Sequence, residues 1–268
     1  MPDSLTLQFT NSGDSVRELA DQVVILTNEA QEVFAERYGD YDWGADMNVP
    51  QFWFEREPKA VFHPHFVGSV SGIDDTWLWG WTNINHWSAS SVAVAERLQQ
   101  LGQQLRCDDL ITSQQPMNHR EHLAFDYVMA AMAVSGLPAP VYYRAPVGGG
   151  SSMWFVLENR EEFDLPAPSA VHIIGLLGRL VQSGLMADHR LAVRAYGTRR
   201  AGLTFTESGD LMTLVAPDGE IQVTFDGHGR IANIHAPALT ATTAAANDSG
   251  PSPRRTLRDR LWGRNSSR

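Results

Sequence analysis

His119, His122 and Asp126 stand at i, i+3 and i+7. On a helix that spacing puts all three on one face, and two imidazoles with a carboxylate are a ligand set for iron, manganese or zinc. His63 and His65, two residues apart in an extended segment, point the same way and offer further ligands. A plainer reading competes. Asn118-His119-Arg120-Glu121 fits a capping box, which would make the two histidines ordinary first-turn residues of a helix. A metal-assisted enzyme built on His119, His122 and Asp126 is therefore the alternative here, and the reading adopted has no metal and no cofactor.

The other chemically suggestive stretch is aromatic. Trp77, Trp79 and Trp81, three of the eight tryptophans, alternate along Thr76-Trp77-Leu78-Trp79-Gly80-Trp81-Thr82. On an extended strand alternate residues share a side, so the three indoles form one face and Leu78, Gly80 and Thr82 the other. Such a row is either packed under a cover or left open to hold a sugar, a base or an apolar partner. Asn83 and His86 follow where the strand gives way to a helix, and backbone donors there suit an anion. The candidate ligand-binding set is Trp77, Trp79, Trp81, Asn83 and His86.

Weaker signals are set aside for stated reasons. Asp40, Asp42 and Asp46 surround Gly44 like a calcium loop, but the twelfth position is Gln51 where glutamate is needed. Gly148-Gly149-Gly150-Ser151-Ser152 lacks the lysine of a phosphate loop and reads as a hairpin turn. Cys107, the single cysteine, has no histidine beside it in sequence to activate it, and it rules out an internal disulfide. The proline of His63-Pro64-His65 suggests an edge strand. Arg144, Arg194, Arg199 and Arg200 lie on or beside strands, either paired with carboxylates or lining an anion site.

These residues need elements to hold them. Ser15-Val16-Arg17-Glu18 fits a capping box opening a helix, and Val16, Leu19, Val23, Leu26, Ala30 and Val33 make one stripe packed on a sheet. From Tyr41 to Thr82 the pattern is of short strands: 51–56, 61–70 and 76–82, with a turn at 71–75. Helical spacing returns over 88–106 and 118–135, and a glycine hairpin joins 141–145 to 153–157. Pro166-Ala167-Pro168 is the best internal boundary. Beyond it come a helix over 169–186 and short strands at 190–198, 202–206, 211–216, 220–225 and 230–235, with turns at Pro217-Asp218-Gly219 and Asp226-Gly227-His228-Gly229.

Charge is unevenly spread. Residues 238–268 hold six arginines against two aspartates, a net +4, so the rest carries −14 of the total −10. An acidic body repels phosphate backbones, which argues against nucleic acid as a partner. The Ala-, Thr-, Ser- and Pro-rich 238–253 reads as disordered. In the arginine-rich end, Leu257, Leu261 and Trp262 fall at helical spacing, suited to an acidic partner or an anionic membrane surface. No apolar run is long enough to span a bilayer and the N-terminus is not a secretory signal, so a cytoplasmic protein is expected.

The strand Thr76 to Asn83, the helix carrying Leu98 and Leu101, and Val141-Tyr142-Tyr143-Arg144-Ala145-Pro146 with its glycine hairpin resemble a bacterial family of uncharacterised proteins marked by a W-x-W-x-N strand. The resemblance covers about residues 15–160. It implies an α+β domain and no particular chemistry.

The fold expected is α+β, antiparallel sheets with packed helices in two subdomains. An aromatic-rich domain spans 1–165, a helix followed by a β-meander spans 168–237, and an arginine-rich tail spans 238–268. The function expected is non-catalytic binding of an unknown small molecule or protein through the aromatic strand face. The alternatives are the metal-assisted enzyme and a toxin-neutralising or regulatory partner protein.

Overall fold

The computed structural model describes residue 7 and residues 14–159 and 161–237. The arginine-rich tail expected over 238–268 lies outside the described residues. The chain divides into two compact units between Asp164 and Leu165, and both are mixtures of helix and antiparallel sheet, an α+β fold.

The first unit opens with α1 (Ser15–Asp21) and α2 (Val24–Tyr38). The expected capping box is displaced by one residue. Asp14 is the N-cap, its carboxylate accepting from the Arg17 backbone N–H at 3.0 Å, so the cap and the donor it satisfies each lie one residue earlier. The single long helix is also broken at Gln22 and Val23, and Val24 to Gln31 are all buried, so α2 lies within the unit with no solvent-facing side along that stretch. Its buried polar residues find partners both along the helix and across the unit. Gln31 donates to the Tyr142 carbonyl at 3.0 Å and accepts from the Tyr142 N–H at 3.2 Å, a carboxamide standing where a neighbouring strand would be.

Strands β1 (Trp43–Asp46), β2 (Gln51–Phe54), β3 (Ala60–Ser71), β4 (Thr76–Trp79), β5 (Gln114–Pro116), β6 (Val141–Gly148) and β7 (Ser151–Glu158) form one antiparallel sheet. The twelve-residue β3 is its spine. Residues 60–62 of β3 pair with β2, residues 68–71 pair with β4, and 63–70 pair with β7. Pro64 therefore sits in a central strand, not at the sheet edge its ring suggests. The reason is local: it falls between the segments taken by β2 and β4, where the missing N–H costs no ladder bond. The glycine hairpin joins β6 and β7 as expected, with Gly148, Gly149 and Gly150 all at positive φ.

Between β4 and β5 run α3 (Ala89–Leu105), capped by Ser88, and the short α4 (Asp108–Ile111); α5 (Glu121–Ser135) follows β5. Trp77 and Trp79 project from β4 onto Tyr127 of α5, with ring centroids 5.5 and 4.8 Å away, and pack edge-on to each other at 5.3 Å. The β3 ladder slips by one residue between Phe66 and Gly68, a bulge at Val67. That slip sets Gly68 beneath the Trp77 ring, where a Cβ would lie 2.3 Å from an indole carbon. A second aromatic cluster, Phe34, Tyr38, Phe54, Phe62 and Phe163, fills the other end of the unit with edge-to-face contacts.

The second unit has α6 (Ala170–Ser183), α7 (His189–Arg199) and the meander β8 (Thr204–Ser208), β9 (Leu211–Ala216), β10 (Gly219–Phe225) and β11 (Ile231–His235), in the order β11-β10-β9-β8. Residues 190–198, expected as a strand, are helical. Asp188 caps them by accepting from the Leu191 N–H at 2.8 Å, and Leu191, Ala192, Val193, Ala195 and Tyr196 are buried together, a pattern no half-buried strand makes. The Pro217-Asp218-Gly219 turn has a second task. Asp218 accepts from the Ala170 N–H at 2.7 Å and the Ser169 hydroxyl at 2.8 Å, capping α6 from the meander.

Replacing Gly68 by valine should destabilise the protein by about 1–3 kcal/mol through overpacking against Trp77. Urea unfolding measures the loss, and an unchanged midpoint would show that the indole is not seated on β3.

Candidate functional site

The expected row of three indoles is broken. β4 ends at Trp79, and Gly80–Thr82 turn into a single 3-10 turn in which the Thr82 hydroxyl donates to the Trp79 carbonyl at 2.7 Å. Trp81 therefore leaves the strand face. Trp77 and Trp79 are each 0% exposed, and the Trp79 indole N–H donates to the Asp109 carbonyl at 2.9 Å. This corrects the open-face assignment: these two rings are core and present no surface to a ligand. Truncating a buried ring of this size costs about 3–5 kcal/mol, so the pair belongs to the stability of the unit.

Asn83 has a positional role of its own. It adopts the left-handed conformation with φ 43°, and its side chain closes a loop on Trp87. The amide donates to the Trp87 carbonyl at 3.0 Å and its oxygen accepts from the Trp87 N–H at 2.9 Å. Both ends of the amide are spent on the backbone. His86, also left-handed at φ 55°, is exposed at the tip of this loop.

The metal alternative loses its geometry. Asn118 and His119 have positive φ, so the helix does not begin until Glu121 and His119 stands outside it. His119 is 94% exposed and is bound to Asp75, through its backbone N–H at 2.8 Å and its ring at 3.3 Å. Asp126 is engaged by Arg17 at 2.6 Å, and burial pushes its carboxyl up against the pull of that guanidinium. Among the described residues no three histidine, cysteine or acidic side chains are grouped as a metal site.

His65 is a structural pin. Its Nε2 lies 2.8 Å from a Glu158 carboxylate oxygen and its Nδ1 3.1 Å from the Ser90 carbonyl, tying β3 to β7 and to the start of α3. The His63 ring packs beside it at 4.8 Å. Burial holds the His65 imidazole below its ordinary value, against the opposing pull of Glu158. Burial likewise pushes the Cys107 thiol up, away from the thiolate a nucleophile needs. Of the four arginines, Arg194 makes two bonds of 2.7 Å to Glu207, Arg144 stacks over Trp154 at 5.6 Å, and Arg200 donates to the Pro166 and Ala201 carbonyls.

What the alternation along β4 hides on one side it exposes on the other. Leu78 points away from Trp77 and Trp79 into a pocket of about 370 Å³. The Val67 bulge brings Ser69 to the same side as Leu78 and Met153, which it faces across the ladder. Phe66 forms the inner wall, with Trp87 edge-on to it at 4.9 Å. Ile84 and Val147 stand at the wall with 64% and 55% of their surface exposed. Asp74, Asn85 and Gln114 supply polar groups. Asn83 lines this pocket too, whereas Trp77, Trp79, Trp81 and His86 do not. Phe66 was missed because the one-residue bulge of β3 decides which way it points, and no spacing in the sequence announces it; alternation put Leu78 opposite the indoles but did not show that its side is the open one.

Residues 17–160 match the model of DUF6882, a family of unknown function, and the chain belongs to that family. No curated protein and no solved structure matches the chain significantly. Among the described residues no helix is long and apolar enough to cross a membrane.

Two outcomes are expected. Asn83→Ala should cost about 1–3 kcal/mol, from two lost hydrogen bonds and a left-handed alanine, and should broaden the Trp87 indole signal in NMR spectra. Asn83→Gly should recover only the conformational part, and full recovery by glycine would show that the bonds to Trp87 carry nothing. For His65 the sign follows from its lowered folded value: as pH falls through about 6.5 the unfolded chain takes up the proton first, so stability is lost on acidification. Thermal unfolding between pH 8 and 5 should show this decline, and His65→Asn should flatten it.

Proposed function

We propose, taking membership of that family as the premise, that this chain is a non-catalytic binding module of the bacterial cytoplasm. Its ligand sits in the pocket formed by Leu78, Phe66, Met153 and Trp87. The observation that carries this reading is a cavity of small-molecule size whose exposed lining is mainly apolar, with Phe66, Leu78, Trp87 and Met153 set among serine, threonine and amide side chains. In this reading the tryptophans of β4 act indirectly. Trp77 and Trp79 anchor the strand from the core side, so that Leu78 is held rigidly on the pocket side. Asn83 acts indirectly as well, by fixing the loop that carries Ile84 and Trp87. The strand first suspected remains central, with the opposite face used.

A second reading, recognition of a protein partner, is favoured by one feature: Ile84 and Val147 are large, apolar and exposed at the same pocket. Such a partner would insert a side chain between them.

Titration of the isotope-labelled protein with 2-phenylethanol tests the small-molecule reading. Chemical shifts should move at Leu78, Met153 and Trp87, and Leu78→Glu should abolish the response with the fold intact. Trp79→Phe should leave it largely in place. A response at the β-meander of the second unit and none at Leu78 would overturn the assignment.

A further inference from the structure

The chemistry of the pocket narrows what it holds, and this step rests on the binding reading above. Asp74 is the one charged side chain among the described residues lining the cavity. It lies in the β3–β4 turn, where its N–H donates to the Ser71 hydroxyl at 3.2 Å and one carboxylate oxygen, Oδ2, accepts from that hydroxyl at 3.3 Å. These contacts orient the carboxylate while leaving Oδ1 uncommitted. Among the described residues no lysine, arginine or histidine lines the pocket beside it. The remaining polar groups, among them Asn85, Gln114 and several serine and threonine hydroxyls, are neutral. Trp87 offers an aromatic wall, and aromatic faces attract cations.

The wider field has the same sign. The chain carries 31 acidic against 21 basic residues, and the body without its last 31 residues is more acidic still. An anionic ligand would therefore meet a repelling field and an unpaired carboxylate, with no donor charge to offset them. A volume of about 370 Å³ lies near the lower end for small-molecule sites, which suits a one-ring body.

We infer that the pocket binds a small primary amine with an apolar, one-ring body, the body between Leu78, Phe66 and Trp87 and the ammonium group at Asp74. Recognition divides between two parts of the same molecule. The apolar walls supply affinity to any ring of the right size, and the Asp74 carboxylate separates cation from neutral compound and both from anion.

Three isosteric probes test this: 2-phenylethylamine, 2-phenylethanol and phenylacetate, each titrated by NMR at neutral pH. The amine should bind about two- to fivefold more tightly than the alcohol, the advantage expected of an exposed ion pair, and phenylacetate should bind worst. Asp74→Asn should erase the advantage of the amine and leave the alcohol unchanged. Added salt should shrink the same advantage in the natural protein. Equal binding of amine and alcohol, or a preference that survives Asp74→Asn, would overturn the amine assignment and leave the pocket reading standing. Failure of all three to shift any pocket residue in the folded protein would overturn both.

Discussion

Strand β3 shows different faces to its surroundings in its two halves, and the slip at Val67 is where they exchange. Before it, Phe66 stands opposite Phe155; after it, Gly68 stands opposite Trp154. In an uninterrupted strand residues 66 and 68 would share a side. The extra residue sends Phe66 to the pocket wall and Gly68 under the Trp77 indole. Core and pocket are thus two sides of one sheet, related by a single irregularity. Gly68 is required because the indole lies flush with the backbone, and the indole lies there because the position has no side chain.

The sheet also controls where polar groups end. α2 is buried over Val24 to Gln31, yet Gln31 finds both a donor and an acceptor in the Tyr142 backbone, and Asn28 returns its amide to the Val24 carbonyl. Arg17 and Asp126 pair between α1 and α5 at 2.6 Å with the carboxylate mostly shielded. Such bonds add little net stability, but leaving any one partner alone would cost about 1–3 kcal/mol. They therefore favour one packing of α1, α2 and α5 against the sheet. Asp218 does similar work in the second unit, where a hairpin turn caps the helix that precedes it by some fifty residues in the chain.

Much of the local structure was legible from spacing. The helix capped by Ser88, the glycine hairpin of β6 and β7, and the turns of the meander follow from capping, positive φ and alternation, all properties of neighbouring residues. The failures have a common cause. Leu191 to Gly197 alternates as well as it repeats at helical spacing, and only burial of both registers against β8 and β9 distinguishes the two. His119 is excluded from its expected helix by a left-handed turn that Asp75, 44 residues earlier, holds from outside. Trp81 is lost from its row when Gly80 turns the chain against the Phe66 carbonyl.

The order of apolar and polar residues determined, without help from the rest of the molecule, that this chain has helices and antiparallel strands, and that Trp77 and Trp79 share one side of β4. Which side of β4 is covered, and which is left open, was decided only by the assembled sheet. The physical reason is that burial is a property of two surfaces. Alternation divides Trp77 and Trp79 from Leu78, but α5 must arrive on one side and the Val67 bulge must turn β3 before either side becomes core or pocket.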